Sequence, residues 1–121
     1  MDQYILHITN PTAWAEAQTT NSYTADSLHS EGFIHCSTFA QVIGVVNQWF
    51  KGQSDLLLLI IDTKRLTHEV HYEDLYNHGD AFPHLYGPLN VDAVIDHVPL
   101  TPNAAGIFEF PEELMNYEYK K

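Results

Sequence analysis

Three histidines interrupt hydrophobic runs in this chain. His7 lies in an alternating segment, Tyr4 to Thr9; His35 lies in Phe33 to Thr38; His84 lies in a loop bounded by Pro83 and Pro88. An imidazole among apolar neighbours is costly unless it is hydrogen-bonded or used. Any one of the three reads as a satisfied core histidine; together they point to a shared polar cleft, because perturbed groups cluster at sites. His35 and His84 are candidate general acids or bases, since imidazole titrates near neutral pH. Glu73 joins them: it alternates with apolar residues and shares a face with His71.

Other chemistries find less support. Cys36 falls on the strand face opposite His35 and reads as a small buried residue. Ser37 shares the face of His35, but no Gly-x-Ser-x-Gly elbow is present, so a ligand-binding hydroxyl is as good a reading as a nucleophile. No phosphate loop, dinucleotide glycine fingerprint, His-Glu-x-x-His or Cys-x-x-Cys occurs. His68 and His71 with Glu69 lie in an exposed-looking turn, and no metal ligands are assigned. A metal-dependent hydrolase built on His7, His35 and His84 stands as the third reading.

The elements that must position these residues follow from local pattern. Gly32-Phe33-Ile34-His35-Cys36-Ser37-Thr38 reads as a short buried strand running into a helix. Phe33, His35 and Ser37 face one way, and Thr38-x-x-Gln41 has the form of a capping box. The helix, Phe39 to about Lys51, carries an apolar stripe of Val42, Ile43, Val45, Val46, Trp49 and Phe50. Asn10-Pro11 starts an earlier helix, Pro11 to about Gln18, with Asn as cap. Asp26 to Glu31 reads as a turn or one helical turn ended by Gly32. Leu56 to Ile61, six apolar residues in a row, suits a central strand buried on both faces. Val70 to Leu75 alternates. Asn77-His78-Gly79-Asp80 is a loop. Phe82 to Asn90, with two prolines and a glycine, reads as a rigid aromatic loop, not a regular central strand. Val91 to Val98 is a strand, and Ile107 to Phe110 a short edge strand. The fold class is α+β: a curved, mostly antiparallel, split sheet with two or three helices packed on it. A single domain spans 1–111, and 112–121 form a polar C-terminal tail.

Composition narrows the partners. At 121 residues one domain is expected, and 45% hydrophobic content suits a globular chain. The formal charge is −11, with 16 acidic residues against five Lys and Arg. This argues against duplex nucleic acid and anionic membrane as partners. Protonating the eight histidines would cancel eight of those eleven net charges, so mild acid should change solubility. One cysteine allows no intrachain disulfide, and no signal-like or membrane-spanning run appears. A cytoplasmic monomer or weak homodimer with a small-molecule ligand is expected.

Three stretches carry a resemblance: His7-Ile8-Thr9, Glu31 to Ser37, and Phe82-Pro83-His84-Leu85-Tyr86-Gly87-Pro88-Leu89. From Tyr4 to about Phe110 the chain resembles the domain-of-unknown-function family numbered 952, small bacterial single-domain proteins without an established activity. That family is remotely similar to the ADP-ribosyltransferase-like superfamily, whose split, curved sheet grips a nicotinamide dinucleotide or ADP-ribose-like group. The resemblance implies a nucleotide-binding protein and, beyond that, a transferase that takes NAD as its substrate, with no cofactor assigned. It implies ligand contacts from His7, Thr9, Ser37 and Thr38, stacking by Tyr86, and acid–base chemistry at His35, His84 or Glu73. Many members use a late glutamate that no motif fixes in this chain. The alternative is a non-catalytic module that keeps the cleft for a metabolite or a protein.

Overall fold

The computed structural model describes residues 2–75, 77 and 79–118. Its elements are β1 (Tyr4–Thr9), α1 (Pro11–Thr20), β2 (Ser22–Tyr23), α2 (Asp26–Ser30), β3 (Ile34–His35), α3 (Phe39–Trp49), β4 (Leu56–Asp62), β5 (Val70–Glu73), β6 (Phe82–Leu85), β7 (Leu89–Asn90), β8 (Val94–Leu100) and α4 (Met115–Glu118). Short 3-10 turns stand at Thr63–Arg65, Val91–Ala93 and Glu112–Leu114. The class is α+β, with every described strand pair antiparallel.

Leu56 to Ile61 form most of β4, all fully or nearly fully buried, between β1 and β8. Alternation divides the run between two cores. Leu57, Leu59 and Ile61 pack with Ile5, Trp14 and Ala17 on the α1 side. Leu56, Leu58 and Ile60 pack with Leu6, Val42 and Val46 on the α3 side. Each such side chain contributes about 1.5–3 kcal/mol of hydrophobic stabilisation. The run is continuous because both faces of the strand are covered.

A second sheet has the order β3-β6-β5, and β2 pairs with β7. The two three-stranded sheets touch through one isolated bridge, Leu6 with Ser37. There Leu6 N–H donates to Ser37 O and Ser37 N–H to Leu6 O, both at 2.8 Å. Beyond it the strands part, which makes the sheet split. The helix starts are as the sequence suggests. Asn10 Oδ1 accepts from Ala13 N–H at 2.9 Å. Gln41 Oε1 accepts from Thr38 N–H at 3.0 Å within the capping box. Gly32 closes α2 at φ +88°, the left-handed region that glycine tolerates.

The structure corrects four expectations. Phe82–Leu85 is a strand after all, and the central one of its sheet. Pro83 keeps its acceptor role, its carbonyl taking Cys36 N–H at 3.0 Å, and lacks only a donor at the end of the two-residue β3. The strand expected from Val91 begins at Val94, after a 3-10 turn. Ile107 to Phe110 form no strand, because a side chain replaces the partner strand: Asn47 Nδ2 donates to Phe108 O at 2.9 Å and Asn47 Oδ1 accepts from Phe108 N–H at 2.8 Å. The polar tail is docked where it is described. Leu114 is fully buried, and Tyr117 meets Tyr4 edge to face and donates to Asp96 Oδ2 at 2.7 Å. Residues 119–121 of that tail, and His78 of the expected loop, lie outside the described residues.

Candidate functional site

The pairing of β3, β6 and β5 sets His35, His84 and His71 side by side, because His84 is in register with both of the others. Each imidazole meets a carboxylate. His35 Nε2 lies 2.6 Å from Glu31 Oε2, His84 Nδ1 3.0 Å from Glu73 Oε1, and His71 Nε2 3.2 Å from Glu69 Oε2. Alternation also brings Phe33 onto this face. Its ring stacks on His84 at 4.1 Å and meets His35 edge to face at 5.0 Å. The rings of His35 and His84 stand 5.4 Å apart, edge to face.

Burial separates these pairs. His84 is 2% exposed. Glu73 Oε1 accepts from the Tyr86 hydroxyl at 2.5 Å as well as from His84. Those two bonds, Tyr86 first and His84 second, hold its carboxyl below the usual range, and the same contact raises the Tyr86 phenol. A carboxylate only accepts, so the proton of neutral His84 sits on Nδ1 and the lone pair on Nε2. Nε2 has no hydrogen bond among the described residues and is not sealed in, and the ring lines a cleft.

That cleft, about 750 Å³, opens where β1 and β3 part. His35, Ser37 and His84 supply polar lining, while Val45, Trp49, Phe50 and Phe82 supply apolar lining. Asp80 stands on its lining, as do Gln48 of α3 and His7 and Ile8 of β1. The volume and mixed lining are those of a small-molecule site.

His7 takes a different role from the other two. Nδ1 lies 2.6 Å from the main-chain carbonyl of His35, which only accepts, so Nδ1–H donates. Nε2 lies 2.8 Å from the Tyr23 hydroxyl, which in turn lies 2.9 Å from Thr9 Oγ1. Burial drives the His7 pKa down to about 4. The ring is therefore neutral at pH 7, and Nε2 accepts from Tyr23. Both nitrogens are occupied within the protein.

His7, His35, Ser37 and His84 thus meet at one cleft, and Glu73 reaches it through His84. Thr9, Thr38 and Tyr86 do not line it. Thr9 completes the Tyr23 network, Thr38 caps α3, and Tyr86 holds Glu73. Cys36 lines the cleft, but burial pushes its thiol up to about 12, which leaves no thiolate for chemistry. The i, i+4 spacing of Glu31 and His35 brings that carboxylate to the site, and sequence reasoning missed Trp49, which it placed on the apolar stripe of α3. Among the described residues no group of three or more His, Cys, Asp or Glu is arranged to hold a metal ion, and no helix is long and apolar enough to cross a membrane.

The profile described as Protein of unknown function (DUF952) matches residues 8–97, and the chain belongs to that family. Among solved structures it is similar to protein CC0527 from Caulobacter crescentus. The crystal structure shares 29% identity over 94% of this chain and 96% of that one, with a TM-score of 0.79. The solution NMR structure of CC0527 shares 29% over 95% and 97%, with a TM-score of 0.75. No curated protein matches.

Proposed function

We propose that the cleft binds the ribosyl and base end of an NAD-like or ADP-ribose-like nucleotide, and that the protein is an ADP-ribosyltransferase-like transferase with His84 as its general acid or base. The observation that carries this reading is His84 itself. Its Nδ1–H is anchored on Glu73, and its Nε2 has no hydrogen bond among the described residues while its ring lines a cleft of mixed polar and apolar lining. A carboxylate that fixes one imidazole nitrogen leaves the other ready to exchange a proton with a bound hydroxyl. Ser37 and His35 are placed to bond ribose oxygens beside it. No Lys or Arg lines the cleft, so the phosphates of such a ligand are assigned to its solvent side.

The test is a thermal-shift series with NAD and ADP-ribose, followed by an assay for release of free nicotinamide. Binding with turnover that falls at least about 100-fold in His84→Gln, with affinity kept, fits a proton-transfer role. Saturable binding without turnover means the non-catalytic module instead, and no shift with either nucleotide removes the nucleotide reading.

A further inference from the structure

The sequence assigned the stacking aromatic to Tyr86, yet Tyr86 is tied to Glu73 and does not line the cleft. The aromatic that does stand free on it is Trp49. This residue ends α3 and lines the cleft. At 64% exposed it is the most exposed large hydrophobic side chain among the described residues. The stripe of α3 explains the contrast: Val42 and Val46 turn into the core and are fully buried. Trp49 belongs to the same stripe but stays outside that core, while its neighbour Phe50 packs against it. An indole left in water at the lip of an amphipathic cleft gains by being covered, and a flat ring covers it best.

Charge narrows what that ring is. Among the described residues lining the cleft, Asp80 is the sole Asp or Glu, and no Lys or Arg is present. His7 is held neutral by burial. The whole chain adds a net charge of −11. An anionic ring would enter against this field with no cation to meet it. A cationic ring would meet Asp80 and the electron-rich face of the indole.

We propose that Trp49 is the specificity platform of the cleft, stacking on a planar heteroaromatic ring, and that Asp80 makes the cleft prefer a cationic ring to a neutral one and a neutral one to an anionic one. This rests on the cleft being the ligand site proposed above, and goes beyond it in naming the residues that choose the ring.

Three probes of one ring and nearly one size separate the charge states: N-methylnicotinamide cation, nicotinamide and nicotinate. Calorimetry on the full chain should rank their affinities in that order, with about tenfold or more between cation and anion. Trp49→Leu should weaken the cation at least about tenfold, and Trp49→Phe should restore most of the loss. Asp80→Asn should bring cation and neutral probes to within about twofold of each other. In Trp14→Phe, where Trp49 is the remaining indole, each binding probe should quench emission saturably. Equal affinity in Trp49→Leu and wild type, or nicotinate binding as tightly as the cation, overturns the proposal. If NAD still raises the wild-type melting midpoint in that event, the cleft reading stands and only the platform falls. If neither NAD, ADP-ribose nor any probe binds the wild type, both fall.

Discussion

His7 closes a hydrogen bond that two strands leave open: its Nδ1–H donates to the carbonyl of His35 at 2.6 Å. After the Leu6–Ser37 bridge, the next hydrogen-bonded pair of a continuous antiparallel ladder would be Ile8 with His35. The strands diverge instead, and an imidazole takes the acceptor. His7 is thus a strut at the fork of the sheet, and it fixes the backbone of His35 while its own nitrogens stay out of reach.

That strut makes stability depend on pH. The His7 pKa is about 4 in the folded chain against 6.5 unfolded, chiefly because burial disfavours the charged ring. Between those values the unfolded chain binds the extra proton, so stability rises with pH across the window. The contribution is full above 6.5 and is lost as pH falls towards 4, in total on the order of 3 kcal/mol. Urea unfolding at pH 7.5 and pH 5 measures it. His7→Leu should lose about 1–3 kcal/mol at pH 7.5, since the His35 carbonyl and Tyr23 hydroxyl lose their partner. The same variant should show a shallower fall in stability towards pH 5 than the wild type. An unchanged slope would contradict the burial of a neutral ring.

Glu73 sets the tautomer of His84. Nitrogen-15 shifts of the imidazole at pH 7.5 should report the proton on Nδ1. Glu73→Ala should redistribute it towards Nε2–H, while Tyr86→Phe should leave it on Nδ1. Tyr86→Phe removes the largest cause of the depressed Glu73 pKa, so that carboxyl should titrate higher, nearer its ordinary value. In the wild type the hydrogen-bonded carboxylate contributes fully above the unfolded value of 4.5, and that contribution is lost as pH falls through its lower folded value. Nδ1 protonation that persists in Glu73→Ala would mean that Phe33 stacking, not the carboxylate, orients the ring.

Gly87 lies against an imidazole. A Cβ there would stand 2.3 Å from His68 Cγ, at the root of the ring, so the whole side chain must swing away. His68 Nδ1, 3.1 Å from Pro88 O, would lose that contact. Gly87→Ala should cost about 1–3 kcal/mol by chemical denaturation. Adding His68→Ala should recover part of it, which a double-mutant cycle detects as a coupling of at least about 0.5 kcal/mol.

Gln41 does two things with one amide. Its Oε1 accepts from Thr38 N–H at 3.0 Å and its Nε2 donates to Ala81 O at 2.8 Å, so the start of α3 is tied to the chain entering β6. Thr38→Ala should cost about 1 kcal/mol as a lost cap. Gln41→Ala should cost at least as much and, unlike Thr38→Ala, should speed hydrogen exchange at residues 80–82. Equal exchange in the two variants would deny the tie.

The parts legible in the sequence were those where one local pattern decides. Leu56 to Ile61 could only be buried on both faces, and Phe33, His35 and Ser37 did alternate onto one face. Asn10-Pro11 and Thr38-x-x-Gln41 capped their helices by short-range chemistry. What escaped was set by partners distant in the chain. Pro83 argued against a central strand, but Cys36 needed only its carbonyl. Asn47 gave no sign that it would stand in for a strand beside Phe108. At the site, the pattern suggested that His7, His35 and His84 share a cleft, but not that His84 reaches it from a strand paired with that of His35, nor that Thr9 serves Tyr23 instead of a ligand. Trp49 belonged by spacing to the apolar stripe; only the packing shows that it stays outside the core while Phe50 packs against it.

The attachment of Phe108 has a chemical consequence of its own. Asn47 must offer a donor and an acceptor at once, so the docking of the following segment rests on the difference between an –NH₂ and an oxygen. Exchanging the amide for a carboxylate, as in Asn47→Asp, would leave the side chain's shape almost intact and set a negative oxygen against the Phe108 carbonyl 2.9 Å away.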